Sequence, residues 1–227
     1  VPTVAQILDD VRDDVLDPTV DSAGNPITPR YTNAMLLRKL NKAATTVARR
    51  TLCVKKTDSQ ATVVGQREYA LPTDYIQLRS VMYRNDTGVD PLHLTEVPLD
   101  ETFSLTSTEI VNGFARRGDA VLRLNGEPTI AVAGSGLVID YFALPAEVTA
   151  ASAPTFDIPE RYRDAVQKGT TALTLAGMDE EPGKAQAAQL SFEVALQESV
   201  DREKEASHTS PGRVRDAYDP MTGNYYR

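Results

Sequence analysis

The sequence predicts an α+β protein: a four-helix bundle with a small antiparallel β insert between helices 2 and 3, and an extended C-terminal tail. Three observations predict it. Apolar residues recur at helical spacing towards both ends of the 227-residue chain. The middle third switches to alternation with period two, punctuated by Gly turns. Beyond residue 206, Ser210, Pro211, Gly212, Pro220 and Gly223 break every pattern. The domain organisation that follows is 1–56 and 151–206 for the helical bundle, 57–150 for the β insert and 207–227 for the tail.

The first helix opens at Thr3, with Gln6 three residues on as its capping-box partner. Val4, Ile7, Leu8, Val11 and Val15 give it one apolar face. A loop holding Pro18, Gly24, Pro26 and Pro29 follows. Thr32 caps the second helix, whose stripe is Leu36, Leu37, Leu40, Ala43, Ala44 and Val47, and which ends near Thr51 or Leu52.

From Lys55 the chain reads as strands. Ala61–Val64 and Glu68–Leu71 flank Val64-Gly65-Gln66 as a hairpin. Ile76, Leu78, Val81 and Tyr83 mark another strand, with a bulge at Ser80. Leu92–Val97 reads as a strand and Leu99–Leu105 as a helical turn. Gly118-Asp119 predicts a hairpin between Phe114–Arg117 and Ala120–Leu124. Gly134-Ser135-Gly136 predicts one between Thr129–Val132 and Leu137–Leu144.

Helix returns at Pro159, a residue suited to a first helical position. Tyr162, Ala165, Val166, Gly169, Leu173 and Ala176 share its face, and Gly177 ends it. The fourth helix, Pro182 to Ala206, is apolar on two sides. Ala185, Ala188, Phe192, Ala195 and Leu196 lie on one, with Leu190 and Val194 opposite. Such a helix expects two partners.

Composition restricts the function classes. The net charge is -8, which disfavours wrapping nucleic acid, since phosphate neutralisation dominates that binding. A single cysteine, Cys53, excludes an intrachain disulfide and fits a reducing compartment. No apolar run approaches the roughly 20 residues of a membrane span. The acidic N-terminal stretch lacks the basic and apolar regions of a signal peptide.

Asp9, Asp10, Asp13, Asp14 and Asp17 fall on one face of the first helix, opposite Ile7 and Val11. One face does not converge as a hard-cation site requires, so a solvated or partner-facing surface is the expectation and no metal or cofactor is called for. His93 and His208 are the only histidines, and no Ser or Cys stands in a nucleophile elbow. Gly134-Ser135-Gly136 lacks the Lys and following helix of a phosphate loop. The expectation is a protein that is not an enzyme.

Eight basic residues and no acidic one lie between Arg30 and Lys56. Arg38, Lys39, Lys42, Arg49 and Arg50 share about a third of the second helix's circumference. Three readings stay open: a solvated face, a nucleic-acid contact, or a surface meeting the acidic helix. A charge-matched contact between subunits would be head-to-tail, the kind that generates rings. Its candidate interface residues are Asp10, Asp13, Asp14, Arg38, Lys42 and Arg49.

Four stretches then carry a resemblance. They are "LLRKLNKAATTVARRT", "GQREYALPTDYIQLRSVMYRN", "LVIDYFALPAEVT" and "IPERYRDAVQKGTTALTLA". Their order over about residues 30 to 206 resembles the head-to-tail connector, or adaptor, proteins of tailed bacteriophages. The resemblance implies a non-catalytic virion protein, assembled in the host cytoplasm and sited at the head–tail junction. It implies a homo-oligomeric ring, commonly of twelve copies, docked beneath the portal protein. The ring extends the channel through which DNA passes and binds a tail or tail-completion protein. It also implies that the C-terminal tail meets the portal, with Arg213, Arg215, Tyr218, Tyr225, Tyr226 and Arg227 as candidate contacts. The alternatives are another phage neck or tail-completion protein, a DNA-binding module using the basic second helix, and a metal-dependent enzyme using the Asp cluster.

Overall fold

A computed structural model describes residues 3–17, 19, 28–85, 90–100, 111–118, 120–151, 157–177 and 182–209. The chain divides into two compact units. One is drawn from residues 1–47, 148–155 and 159–227, the other from 48–147 and 156–158.

The first unit is helical. In α1 (Val4–Asp14) the Thr3 hydroxyl accepts the Gln6 N–H, and the Gln6 side chain accepts the Thr3 N–H. That reciprocal cap satisfies two of the amides a helix start leaves without partners. Val4, Ile7, Leu8 and Val11 are buried, as their spacing predicts. After Asp14 the chain reverses through Leu16, whose φ is 55°. Its exit is closed by the Asp17 N–H donating to the Arg12 carbonyl at 2.9 Å. α2 (Asn33–Thr51) begins where the Met35 N–H meets the Thr32 hydroxyl at 3.3 Å. A 3-10 turn (Glu160–Tyr162) follows Pro159 and runs into α3 (Arg163–Leu175). α4 (Pro182–Thr209) packs on α3.

One close approach decides how these helices fit. A methyl added at Gly169 of α3 would lie 3.0 Å from the Phe192 ring and 3.2 Å from the Ala43 methyl. Packing is therefore tight at this glycine, and the phenyl ring of α4 lies against the space a side chain would take. Asn41 of α2 closes another edge. Its amide donates to the Val148 carbonyl at 2.9 Å and its oxygen accepts the Val148 N–H at 3.0 Å.

The second unit is built on strands β1 (Lys55–Thr62), β2 (Glu68–Ala70), β3 (Tyr75–Tyr83), β4 (Leu92–His93), β5 (Thr95–Glu96), β6 (Gly113–Arg117), β7 (Val121–Leu124) and β8 (Val132–Ala143). They form two four-stranded sheets, ordered β1-β8-β3-β4 and β2-β7-β6-β5. Tyr69, Leu71, Val81, Tyr83, Leu122, Leu124, Leu137 and Ile139 give this unit an apolar interior.

That topology corrects the expectation of a four-helix bundle with a small antiparallel β insert. The protein is an α+β fold with two four-stranded sheets, and the β part has a core of its own. β1 does not form a hairpin with β2. It pairs with β8 (Lys55 opposite Phe142), while β2 pairs with β7 (Tyr69 opposite Leu122). β5 and β6 run parallel. Gly134-Ser135-Gly136 is no hairpin turn either. It lies within β8, where the register jumps from Gln60 opposite Leu137 to Thr62 opposite Val132. The surplus residues on β8 bulge out there, with Gly134 at φ 76°. The turn chemistry is real, but it accommodates a bulge and the strand continues through it. Gly118 does turn between β6 and β7, as predicted. β3 carries two register shifts: one beside the predicted bulge at Ser80, where Arg79 is the extra residue between Leu78 opposite Tyr141 and Ser80 opposite Asp140, and one between Tyr75 and Gln77. The expected helical turn at Leu99–Leu105 lies largely outside the described residues, and so does most of the 18–30 loop.

Candidate functional site

The structure places the acidic face of α1 against α3. Asp10 meets the Arg163 guanidinium at 3.1 Å. Asp14 accepts the Thr171 hydroxyl at 3.0 Å and the Gln167 amide at 3.3 Å. Arg163, Gln167 and Thr171 recur every four residues, so one polar edge of α3 lies along one edge of α1. Asp9 and Asp13 stay exposed. A cleft of about 320 Å³ opens beside Asp14, lined also by Lys168, Leu175 and Lys184. Its charges are engaged, Lys168 with Asp164 at 3.0 Å and Asp14 with Thr171.

Asp17 departs from the cluster its spacing suggests. α1 has ended by then, and the carboxylate turns inward to a buried pair with Arg12 at 3.0 Å. It also accepts the backbone N–H groups of Arg30 at 2.6 Å and Tyr31 at 2.9 Å. Arg12 completes the knot by donating to the Tyr31 carbonyl and the Asn33 side chain, both at 2.8 Å. Sequence reading missed this pair, because a lone Arg on an acidic helix reads as solvated. The signal was available: Arg12 stands next to Val11 and one residue short of the polar face.

The outward face of α2 carries Ala34, Met35, Arg38 and Lys42, all exposed. Among the described residues, Arg38 reaches only the Ala34 carbonyl, at 3.3 Å. Arg49, in the β-containing unit, lines a cleft of about 380 Å³ with Tyr75, Ile76 and Leu144. Among the described residues of one chain, no ion pair joins Asp10, Asp13 or Asp14 to Arg38, Lys42 or Arg49. α4 buries Phe192, Ala195, Leu196 and Ser199, and leaves Leu190 62% and Val194 57% exposed on the opposite side.

In the β unit one polar cluster centres on Asp74. Lys56 donates to it at 2.9 Å and the Tyr141 hydroxyl at 3.0 Å, while Lys56 also meets Asp157 at 3.3 Å. Burial alone would raise the Asp74 carboxyl, but these two hydrogen bonds outweigh it and hold it below the ordinary range. Burial, reinforced by donation to Asp74, pushes the Tyr141 hydroxyl up to about 12. The Asp74 bond raises Lys56 in turn. Three elements are pinned together: the start of β1, the turn before β3 and the end of β8. On β8, Asp140 accepts the Thr57 hydroxyl at 2.6 Å and that of Ser80 at 2.9 Å, which lowers it. Both clusters tie strands together.

His93 is exposed in β4, and Cys53 is buried. The side chain of His208 lies outside the described residues, as do the candidate portal contacts Arg213, Arg215, Tyr218, Tyr225, Tyr226 and Arg227. No described helix is long and apolar enough to cross a membrane.

What this geometry offers is surface: an acidic helix face partly used within the chain, a basic helix face, and an apolar stripe on α4. No curated protein matches the sequence. The family model described as SU10 adaptor protein matches residues 2–215. That match spans nearly the whole chain, both units included, so the chain belongs to the SU10 adaptor protein family and is a structural adaptor of phage virions that works by contact with other virion proteins.

Proposed function

We propose that this adaptor sits at the head–tail junction, forming a twelve-copy ring beneath the portal protein that extends the DNA channel and gives the tail its attachment surface. The match to the adaptor family across residues 2–215 carries the reading. The outward faces of α2 and α4 support it, since they differ in chemistry and belong to one chain. Two unlike patches on one chain make head-to-tail contacts, which form a ring when the rotation between copies closes. The role is non-catalytic, in keeping with a sequence that has no nucleophile elbow and no metal-ligand spacing.

The C-terminal residues Arg213, Arg215, Tyr218, Tyr225, Tyr226 and Arg227 are assigned to the portal. Tyrosine and arginine are the residue types that anchor interfaces. The test is electron microscopy of the purified full-length protein mixed with portal rings. An added annular layer on one face of the portal is expected, and it should be lost when residues 210–227 are removed. Portal rings that stay bare with the full-length protein defeat the reading.

A further inference from the structure

We propose that the outward face of α4 docks on the outward face of α2 in a second copy of this chain. The inference rests on the ring reading above and names the surface that builds it.

The α4 face is a continuous stripe. Gly183, Gln186, Leu190, Val194, Gln197 and Asp201 follow one another at three- and four-residue steps, and all are exposed. At 3.6 residues per turn they lie along one line of the helix, opposite the buried Phe192, Ala195 and Ser199. Leu190 and Val194 make the middle of the stripe apolar, and Glu198 and Asp201 make its far end acidic. Leu190 and Val194, one turn apart and both more than half exposed, form a contiguous apolar patch on this face.

The α2 face has the complementary order. Ala34 and Met35 come first, Met35 being 41% exposed. Arg38 and Lys42 follow, both exposed, and Lys42 makes no ion pair among the described residues. Within the chain α1 does not supply the missing negative charge: Asp10 and Asp14 are directed to α3, and among the described residues the exposed Asp9 and Asp13 make no ion pair with Arg38 or Lys42.

Matching the apolar end of one face to the apolar end of the other gives the direction. Leu190 to Glu198 is eight residues, and so is Ala34 to Lys42, a rise of about 12 Å on each helix. Laid parallel with Leu190 on Ala34 and Met35, α4 sets Val194 beside the Arg38 stem and Glu198 beside Lys42. Laid antiparallel from the same starting point, α4 would carry Glu198 past the first turn of α2, where no basic helix face exists. The contact cannot be made within one chain, since both faces are exposed on the same unit. It joins one copy's α4 to the next copy's α2, and so propagates around a ring. Glu198 exchanges its local partner readily. Its pair with Arg202 is 3.5 Å long and solvent-exposed.

The experiment uses the full chain with the buried Cys53 replaced by Ser. Met35→Cys and Leu190→Cys are introduced together, the protein is treated with a short bismaleimide, and denaturing gels are read. A ladder of covalent multimers is expected from the double variant, and no ladder from either single variant. In sedimentation velocity, Leu190→Asp should weaken association at least about tenfold. Lys42→Glu and Glu198→Lys should each weaken it roughly two- to fivefold, as expected for an exposed ion pair. The two charge reversals combined should restore most of the loss. Circular dichroism guards against misfolding of Leu190→Asp, and the thiol ladder decides the matter should that variant unfold. Wild-type oligomers with no ladder and no response to Leu190→Asp would overturn the inference and leave the ring standing. A wild-type chain that stays monomeric both alone and on portal rings would defeat the ring reading, and this inference with it.

Discussion

Replacing Asp17 with Ala is expected to destabilise the helical unit by about 3–5 kcal/mol, the cost of stranding one partner of a buried ion pair. The Asp17 and Arg12 side chains are 10% and 5% exposed, so neither charge is screened by water. The carboxylate accepts three donors, from Arg12, the Arg30 N–H and the Tyr31 N–H. Removing it leaves a buried guanidinium without its counter-charge and takes an acceptor from two amides, each worth about 1 kcal/mol. The guanidinium keeps the Tyr31 carbonyl and the Asn33 side chain, which limits the loss. For a chain of this size the change corresponds to a fall in melting temperature of roughly 6–20 °C. Thermal and urea unfolding, followed by far-ultraviolet circular dichroism, would measure it. The double variant Arg12→Met with Asp17→Ala should recover part of the loss, because no unpaired charge then remains buried. An Asp17→Ala protein within about 0.5 kcal/mol of wild type, the range of an ordinary surface substitution, would refute the reasoning.

Gly169→Val is expected to cost about 1–3 kcal/mol by overpacking against Phe192 and Ala43. Gly169→Ala should cost less, since a helix-propensity gain of up to about 1 kcal/mol opposes the tight contact. Equal melting temperatures for wild type and the Val variant would show that the helices are not in close contact there. Tyr141, pushed up to about 12, should be among the last tyrosines to ionise in an ultraviolet titration, and Tyr141→Phe should remove that late component. A raised tyrosine stabilises the fold in its neutral form. Its contribution is whole below the ordinary value of about 10 and fades as pH rises through about 12. The lowered Asp74 works in the opposite direction, contributing above the ordinary carboxylate range and losing that contribution as pH falls through its depressed value. A titration in which every tyrosine ionises near 10 would remove the Tyr141–Asp74 bond from the account.

The helices were legible because their information is local. Thr3 and Gln6 cap α1 from three residues apart, and the apolar steps of α1 and α2 name the side chains that are buried. Of the sheets only the local β6–β7 hairpin at Gly118 was legible, because the other strand pairings in this fold are long-range. The residue opposite Lys55 is Phe142, and nothing near either one says so. A glycine pair such as Gly134 and Gly136 shows only that the backbone leaves ordinary strand geometry. A turn and a bulge both satisfy that condition. Gly136 has a second reason to be glycine, since an added methyl would collide with Thr62 on the neighbouring strand. Only the pairing reveals that contact.

Charge patterns divide along the same line. The acidic and basic helix faces were visible in the sequence, and their proximity in the chain made α1 and α2 natural partners. The fold directs Asp10 and Asp14 of α1 to α3, and it draws Asp17 into a buried knot with Arg12. A charge stripe therefore becomes a candidate docking surface only after its internal uses are subtracted. Subtraction removes much of the α1 face and leaves Arg38 and Lys42 on α2. Applied to apolar stripes, it removes Phe192, Ala195 and Leu196 from α4 and leaves Leu190 and Val194. The second side of that helix was evident as a pattern with two partners to find, and the chain itself provides one. An adaptor needs neighbours, and the residues left over once the fold has taken its share are where those neighbours should be sought.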